Sequence, residues 1–480
     1  MSGASIFSVG LGLMHLAGFI CSLHALFSVR TPQGAIAWLA TLNTMPILAV
    51  PAYLIFGRSK FKGYIFARQT EDSDLKGMVD ALTVKAAPFI HRVAADAENG
   101  SGGRIQAVEK LAKMPFVRNN HVELLINGHA TFDSIFAGID EALDFILIQF
   151  YIVHDDEIGR ELKNRLLRKS SDGVRIFFLY DEIGCNKLPA GYIRDLRDAG
   201  IRVRSFHTTR GPGNRFQLNF RNHRKIVVAD GHVGWVGGHN VGDEYLGRNP
   251  RFGEWRDTHL KIVGPAVLSL QLSFLEDWNW ATGERLELHW DPVPAPGSGV
   301  PVLILPSGPA DTVATASLMF QHAIHSASQR IWIASPYFVP DEGVLNALQI
   351  AQMRGVDVRI LIPDKPDHLL VYMSAFAFMG KMLAAGIRIY RYYQGFMHQK
   401  VFLVDDRVAA VGTVNLDNRS FRLNFEITAI ILDSGLTGQL EQMLTADFEM
   451  ARQMTLSELE EKAFWFMAAA RAAYLTAPLQ

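Results

Sequence analysis

The sequence predicts an α/β protein with two pseudo-symmetric halves, preceded by an N-terminal transmembrane helical hairpin. Three observations lead to this prediction. Two almost uncharged stretches lie near the N-terminus, a strand–helix pattern occurs twice in the remainder, and each copy leads to the spacing His-x-Lys-x-x-x-x-Asp. Strands that alternate with helices of this length favour a largely parallel sheet in each half.

The first 60 residues are predicted to form the transmembrane hairpin. Residues 6–28 and 35–56 are each long enough to cross about 30 Å of hydrocarbon as a helix. Pro46 and Pro51 are expected to kink the second helix. The turn contains Arg30, whereas the second helix is followed by four basic residues, Arg58, Lys60, Lys62 and Arg68. The positive-inside rule therefore predicts that the rest of the chain lies on the cytoplasmic side.

Composition narrows the class of protein. The 480 residues are enough for two or three domains, and the hydrophobic fraction of 49% with a mean hydropathy of +0.10 is high for a soluble chain. The net charge of −1 provides no basic field that would attract nucleic acid. The two cysteines, Cys21 and Cys185, exclude a disulfide framework and fit a reducing compartment.

The internal repeat predicts the domain boundaries. The first half is placed at residues 115–290 and the second at residues 291–480, after a connecting segment at residues 61–114. The apolar run at residues 146–153 has its counterpart at residues 331–339, and a helical pattern follows each run.

Two aromatic stretches leave packing and lipid contact open as alternatives. Phe274, Trp278 and Trp280 favour packing in the core over a lipid-contacting surface. The C-terminal helical pattern at residues 456–477 fits an interfacial helix and a helix docked on the core equally well.

The two copies of the His-Lys-Asp spacing provide the candidate catalytic residues. They are His223, Lys225 and Asp230 in the first half and His398, Lys400 and Asp405 in the second. The apolar run after each lysine predicts a buried strand, so the histidine and lysine of each copy share one face. Both aspartates follow the end of a strand and are predicted to be turn residues.

Each of these strands is predicted to turn back as a hairpin. With a two-residue loop directly after each aspartate, the register places His223 opposite Asn240. The same register places His398 opposite Asn415 in the second half. The small residues before each asparagine would let a ligand approach the backbone closely.

A carboxylate is expected to hold the tautomer of each imidazole. The apolar segment that follows each hairpin offers one candidate, and the spacing assigns Asp257 to His223 and Glu426 to His398.

Histidine, lysine and asparagine together suit a phosphoryl group. Lysine neutralises the non-bridging oxygens, asparagine donates a hydrogen bond, and imidazole attacks phosphorus or moves protons. With two imidazoles, one can become phosphorylated while the other protonates the departing alkoxide and deprotonates the incoming alcohol. The sequence contains no HExxH motif, Walker loop or clustered carboxylates, so we expect neither a metal nor a cofactor.

These residues carry a resemblance to the phospholipase D superfamily, whose signature is two HKD motifs, and within it to the bacterial cardiolipin synthases. The N-terminal Arg30-Thr31-Pro32, the stretch SPYFVPD at residues 335–341 and the terminal Pro478-Leu479 are similar to segments of that family. The resemblance covers nearly the whole chain. It implies two pseudo-symmetric phospholipase D-like α/β halves that share one active site.

The resemblance implies that two phosphatidylglycerol molecules are joined into cardiolipin with release of glycerol. It implies His223 as the nucleophile and His398 as the general acid and base. It assigns the phosphate to Lys225, Lys400, Asn240 and Asn415. It implies that Asp257 and Glu426 orient the histidines, and that Asp230 and Asp405 support the site by hydrogen bonding. A hydroxylated residue, Thr413, precedes Asn415, whereas Gly238 has this position in the first half, which argues against two equal phosphate-binding halves.

The expected partners are membrane phospholipids (phosphatidylglycerol and cardiolipin) and the bilayer, with no nucleic acid, and a homo-oligomer stays open. The expected location is the bacterial inner membrane, as a multi-pass protein. The alternative functions are a phospholipase D hydrolase or another phosphatidyltransferase, and, further removed, a membrane-tethered nuclease. The near-zero net charge argues against the nuclease.

Overall fold

A computed structural model describes residues 3–29, 31–57, 60–61, 64, 82, 84–92, 101–207, 219–297 and 299–480. Four of the basic residues that predict the membrane orientation, Arg30, Arg58, Lys62 and Arg68, lie outside these ranges.

The N-terminal region contains three helices: α1 (Gly3–Ser28), α2 (Pro32–Thr44) and α3 (Pro46–Phe56). The prediction of one helix over residues 35–56 is wrong, because the helix breaks at Met45. Pro46 has no N–H to continue the hydrogen-bond ladder, so it begins a new helix at the position where the sequence predicted a kink. Among the described residues, one helix is long and apolar enough to cross a membrane, over Ile6–Ser28.

The three N-terminal helices pack against each other through polar and apolar contacts. Tyr53 Oη lies 2.7 Å from His24 Nδ1, and Asn43 Nδ2 donates to Ser22 Oγ at 2.8 Å. Such interhelical bonds satisfy polar groups in a place where lipid would offer no partner. The outer faces are apolar and exposed, as Phe27 with 92% of its surface free illustrates.

The globular part begins with α4 (Ser101–Ala112), and its first set of strands and helices runs to residue 282. These elements are β1 (Val117–Ile126), α5 (Asn127–Glu141), β2 (Phe145–Phe150), α6 (Glu157–Ser171), β3 (Arg175–Asp181), α7 (Ala190–Asp198), β4 (Arg202–Phe206), β5 (Arg221–Asn222), β6 (Ile226–Ala229), β7 (Val233–Gly237), β8 (Trp255–Arg256), β9 (Thr258–Val263) and α8 (Val267–Thr282).

The second set runs from residue 300 to residue 474. Its elements are β10 (Val300–Ser307), α9 (Thr315–Ser326), β11 (Arg330–Ala334), β12 (Phe338–Val339), α10 (Glu342–Met353), β13 (Asp357–Pro363), α11 (Leu369–Ala384), β14 (Arg388–Tyr392), β15 (Phe396–Met397), β16 (Val401–Val404), β17 (Val408–Gly412), β18 (Leu416–Asp417), α12 (Asn418–Arg422), β19 (Asn424–Leu432), α13 (Ser434–Glu449), β20 (Ala451–Gln453), α14 (Leu456–Glu460) and α15 (Phe464–Tyr474).

One long sheet joins the two halves, and its strand order is symmetrical about the β1–β10 pair. From that pair the order is β9, β7, β6, β2, β3, β4 on one side and β19, β17, β16, β11, β13, β14, β20 on the other. The fold is therefore the expected pair of α/β halves, but each part of the sheet is mixed and not largely parallel. Parallel pairing occurs among β2, β3 and β4 and among β11, β13 and β14, which helices connect, whereas short hairpins make β6–β7 and β16–β17 antiparallel.

The hairpin register differs from the prediction by one residue. Ala229 pairs with Val233, so the loop has three residues and not two, and the second hairpin has the same length. The extra residue is the aspartate itself, because Asp230 and Asp405 adopt left-handed backbone conformations with φ of 51° and 49°. If this register were continued to His223, the residue opposite His223 would be residue 239 and not Asn240.

Residues before Pro115, which the sequence presented as a connecting segment, already contribute to the core. Phe61 is fully buried and stacks on Phe220 at a centroid distance of 5.2 Å. Tyr64 donates its hydroxyl to Asp277 Oδ1 at 2.9 Å. Phe61 and Tyr64 are therefore packed against the first half of the globular part.

The C-terminal helical pattern is docked on the core. Phe466 of α15 packs edge-on against Phe376 of α11 at 4.9 Å, and Tyr474 packs against Phe378 at 5.1 Å. The pattern is divided between α14 and α15, and Trp465 at the start of α15 stays 79% exposed. The aromatic cluster of α8 is also core, since Phe274 and Trp278 are fully buried.

Candidate active site

The two motif histidines are held by carboxylates of opposite halves. His223 Nδ1 lies 2.9 Å from Glu426 Oε2, and His398 Nδ1 lies 2.7 Å from Asp257 Oδ2. The assignment of each carboxylate to the histidine of its own half is therefore wrong. The crossing brings both motifs to one site.

Short strands that cross between the halves explain this exchange. The strand before His223, β5, pairs in parallel with β19, which carries Glu426, and β15 before His398 pairs in the same way with β8. His223 N donates to Phe425 O and His398 N donates to Arg256 O, both at 2.8 Å. Each histidine is thus fixed by the backbone next to its carboxylate.

The carboxylates are ionised and the rings are neutral near pH 7. Burial opposes the charge on Asp257, but Lys400 and His398 hold its pKa well below the usual value. Burial also opposes the charge on Glu426, whose pKa His223 nevertheless lowers. A carboxylate accepts, so each Nδ1 carries the proton and each Nε2 is left with a lone pair. Burial lowers the pKa of both histidines, that of His398 to about 3.

The two motif lysines are buried beside the histidines. Lys225 Nζ donates to His223 O at 2.7 Å, and Lys400 Nζ donates to His398 O. Burial lowers the pKa of Lys225 to about 7 and that of Lys400 to about 8. Such ammonium groups gain most from an anion, because little water competes for them.

The two asparagines occupy unequal environments. Asn240 is used within the protein, since Oδ1 accepts from Ile152 N at 3.1 Å and Nδ2 donates to Tyr245 Oη at 2.9 Å. Asn415 is equally buried, and its Oδ1 has no partner among the described residues. A ligand contact through the amide is therefore better supported for Asn415 than for Asn240.

The difference between Gly238 and Thr413 has a steric cause. A methyl group at Gly238 would lie 2.0 Å from Asp257 Oδ1, so the carboxylate fills the space that a side chain would need. In the other half, the Thr413 hydroxyl accepts from Ile427 N at 2.9 Å and hydrogen-bonds Glu426.

The motif aspartates are turn residues, as predicted, and lie at the far ends of β6 and β16 from the histidines. Asp230 accepts from the backbone N–H groups of residues 143–145, at 2.7–2.9 Å. Asp405 accepts in the same way from residues 328–330, at 2.7–3.1 Å. Each carboxylate fastens the motif strand to the beginning of the neighbouring central strand.

Two buried acids that the sequence analysis missed anchor the residue between histidine and lysine. Arg224 Nη1 lies 3.0 Å from Asp277 Oδ2 on α8. Gln399 Nε2 donates at 2.7 Å to Asp447 on α13, which also pairs with Arg256 at 2.6 Å. The sequence contains one signal for these two acids: the residue between histidine and lysine is polar, although an apolar strand follows it. Aromatic rings complete the walls, with Tyr151 5.0 Å from His223 and Trp255 5.1 Å from His398.

Comparison with known proteins agrees with this geometry. Residues 135–250 and 320–448 match the family model described as cardiolipin synthase, PLD-like domain, and residues 16–58 match the phospholipase D-nuclease N-terminal model. Cardiolipin synthase A of Pseudomonas putida (strain W619) is 52% identical over 449 residues, 94% of this chain and 93% of the relative. Cardiolipin synthase A of Pseudomonas syringae pv. syringae (strain B728a) is 48% identical over 98% of both chains.

A solved structure supports the fold alone. The crystal structure of phosphatidylserine synthase from Haemophilus influenzae Rd KW20 superposes with a TM-score of 0.58 at 16% identity, covering 78% of this chain and 100% of that one. With two crossed histidine–carboxylate pairs, a matching family model and relatives of this similarity, the chain belongs to the phospholipase D-like cardiolipin synthase family.

Proposed function

We propose that this chain transfers the phosphatidyl group of one phosphatidylglycerol to the glycerol headgroup of a second, giving cardiolipin and glycerol. The observation that carries the proposal is the pair of buried imidazoles from opposite halves, each with Nδ1 bound to a carboxylate and a lysine beside it. Two Nε2 atoms and two ammonium groups are thereby available to one phosphodiester. The cardiolipin synthases to which the chain is similar support this choice of substrate.

In the first step, His223 Nε2 attacks the phosphorus of the donor phosphatidylglycerol. The bond from phosphorus to the glycerol oxygen breaks, and His398, which becomes protonated when the phosphodiester binds, donates its Nε2 proton to that oxygen. Lys225 and Lys400 neutralise the non-bridging oxygens, where charge accumulates. The step leaves a phosphatidyl group on His223 and a neutral His398.

In the second step, the same groups act in reverse. His398 takes the proton from a hydroxyl of the acceptor phosphatidylglycerol, whose oxygen attacks the phosphorus. The phosphorus–nitrogen bond to His223 breaks, and cardiolipin is released. Because one phosphodiester replaces another, no ATP is consumed.

The carboxylates support this division of work. Glu426 stabilises the charge that appears on His223 when its Nε2 bonds to phosphorus, and Asp257 does the same for protonated His398. Burial and Lys400 favour neutral His398 by lowering its pKa, and the negative phosphodiester shifts the balance towards the imidazolium that the first step needs.

The chain is membrane-associated, as its family and its apolar N-terminal helix indicate. We place it in the bacterial inner membrane with the catalytic part on the cytoplasmic side. This placement is supported by the excess of basic residues after residue 57 and by the apolar outer faces of α1–α3.

A reconstituted assay tests the proposal. The full chain is placed in vesicles that contain phosphatidylglycerol as the reactive lipid, with a chelator present, and the products are identified by mass. We expect cardiolipin and glycerol in equal amounts, and a loss of at least about a thousandfold in the His223→Ala and His398→Ala variants. His129→Ala, which removes an exposed histidine, is the matched control.

Product identity separates the alternatives. Phosphatidic acid in place of cardiolipin would identify a hydrolase. Undiminished synthesis by both histidine variants would contradict catalysis at this site.

A further inference from the structure

Arg221 lies on the same face of its strand as His223. The intervening and following residues are on the other face, because Asn222 Nδ2 and Arg224 Nη1 both bond Asp277 Oδ2, at 2.8 and 3.0 Å. Side chains alternate along an extended strand, so the Arg221 guanidinium projects to the side of the reacting imidazole.

Tyr151 connects this guanidinium to the motif. Its ring centroid lies 5.0 Å from the His223 ring and 5.5 Å from Lys225 Nζ. Burial raises the pKa of Tyr151, and the nearby charge of Arg221 opposes that rise. Tyr151 therefore lies close to both the reacting imidazole and the Arg221 cation.

Arg221 Nη1 donates to Phe220 O at 2.6 Å, and Arg419 provides a second cation at the neighbouring residue, Asn219. Arg419 Nη1 lies 3.0 Å from Asn219 Oδ1, its Nη2 lies 2.6 Å from Asn219 O, and its Nη1 also contacts Leu479 O at 3.2 Å. Within the described part of the chain, all of its hydrogen bonds go to carbonyl or amide oxygens. Burial, and after it the charge of Arg221, lowers the pKa of Arg419. Two guanidinium groups held together in this way attract an anion.

The nearby acids are occupied by other groups. Asp181 accepts from three backbone N–H groups, and Asp417 accepts from Ser420 N at 2.6 Å. Burial raises the pKa of each carboxyl to about 6, so their charge weakens as the pH falls towards that value. Among the described residues, neither acid forms an ion pair with Arg419, and each is held by backbone N–H groups.

Among the described residues, the position on the opposite side of the site that corresponds to Arg221 holds no cation. Phe396 has the position before His398 that Arg221 has before His223, and it packs on Trp255 at 4.8 Å. Tyr337, the counterpart of Tyr151, donates its hydroxyl to a carboxylate, Asp367 Oδ2, at 2.5 Å. A single phosphodiester bound between the two lysines would not require this asymmetry. Binding of a second anion on one side of the site would account for it.

We propose that Arg221 and Arg419 form a second phosphate site, which holds the unreactive phosphate of the acceptor phosphatidylglycerol. The proposal rests on the function proposed above and names the part of the site that selects the acceptor. The two phosphorus atoms of cardiolipin are separated by six bonds of about 1.5 Å, which span about 7 Å overall. Two residues along a strand rise about 6.6 Å, so the spacing from His223 to Arg221 fits. The glycerol bridge fixes the distance between the two phosphorus atoms but not the direction from one to the other.

Two acceptors, one with a phosphate and one without, test the proposal on the reconstituted full chain. Cardiolipin synthesis uses phosphatidylglycerol as the acceptor, and exchange of isotopically labelled glycerol into phosphatidylglycerol uses the same donor with free glycerol as the acceptor. In Arg221→Gln and Arg419→Gln we expect cardiolipin synthesis to fall about tenfold or more, and glycerol exchange to change less than about twofold. Arg221→Lys should recover part of the synthesis, and Arg168→Gln, at an exposed arginine, should alter neither reaction.

The outcomes separate the two proposals. Equal losses in both reactions would show that the arginines support the fold or the donor, and would overturn the acceptor site while leaving the proposed function in place. Unchanged cardiolipin synthesis in both Gln variants would overturn it as well. A wild-type chain that exchanges glycerol but makes no cardiolipin would overturn the proposed function itself.

Discussion

His223 and His398 perform different tasks in the proposed reaction, and their surroundings differ accordingly. Glu426, which holds His223, is bonded by the Thr413 hydroxyl, whereas Asp257, which holds His398, is packed against Gly238. The shorter acid and the glycine fit together, because the Asp257 carboxylate occupies the space of the missing side chain. In the other half, the longer acid Glu426 and the hydroxylated residue Thr413 together hold the histidine.

The crossed pairing predicts which histidine responds to each carboxylate. Glu426→Gln removes the charge that faces His223, and should shift the ¹⁵N resonances and tautomer of His223 while those of His398 stay unchanged. Asp257→Asn should affect His398 in the same selective way. NMR of the protein with ¹⁵N-labelled histidine, assigned with the two His→Ala variants, makes the measurement. A response of His223 to Asp257→Asn alone would restore the pairing within each half.

The lysines predict a loss of activity on the alkaline side. Burial lowers the pKa of Lys225 to about 7 and that of Lys400 to about 8, so a rise in pH through this range removes the positive charges that attract the phosphodiester. We expect kcat/KM to fall above about pH 7 and more steeply above about pH 8, by up to about tenfold per pH unit for each lysine. The control is vesicle binding of the enzyme at each pH. A constant kcat/KM up to about pH 10 would contradict the prediction.

At the scale of elements, each motif strand is fastened at both ends. The histidine end is bonded to a strand of the other half, and the aspartate end accepts three backbone N–H groups of its own half. We therefore propose that the aspartates stabilise the position of the strand and do not contact the phosphate. The spacing between histidine and aspartate is the same in both motifs, and it is the length of the strand that connects these two anchors.

Removal of the Asp405 carboxylate should lower stability and not substrate binding. Asp405→Ala leaves three N–H groups at the start of β11 without their acceptor, and should reduce the free energy of unfolding by about 2 kcal/mol or more. Thermal unfolding in detergent, with KM measured on the folded fraction, makes the test. Asp406→Ala removes the neighbouring exposed acid and should cost less than about 1 kcal/mol. A raised KM at unchanged stability would instead assign Asp405 to substrate.

At the scale of the whole molecule, the repeat was enough to predict two α/β halves, and the resemblance carried by the two motifs predicted that the halves meet at one site. Period-two alternation placed His223 and Lys225 on one face, because it is a local property of a strand. Contacts between the halves were beyond this reasoning: β5 pairs with β19, and so Glu426 reaches His223 across 203 residues of sequence. The register failed by one residue because an aspartate can adopt a left-handed conformation, which lengthens the loop.

The membrane segment shows a similar limit. Hydropathy identified both apolar stretches, but a proline at position 46 divides the second of them into two helices. Phe61 and Tyr64 were missed as core residues, since their partners Phe220 and Asp277 lie far away in the chain.

The central claim is that a phosphatidyl group passes through His223 while His398 transfers the proton. The most direct measurement is mass spectrometry of the reconstituted enzyme. The reaction is quenched without acid during turnover on phosphatidylglycerol, and the protein is then digested. We predict a phosphatidyl adduct on the peptide that contains His223, absent from the His223→Ala variant and absent from the peptide that contains His398. An adduct on His398, or turnover to cardiolipin with no adduct on either histidine, would contradict the account.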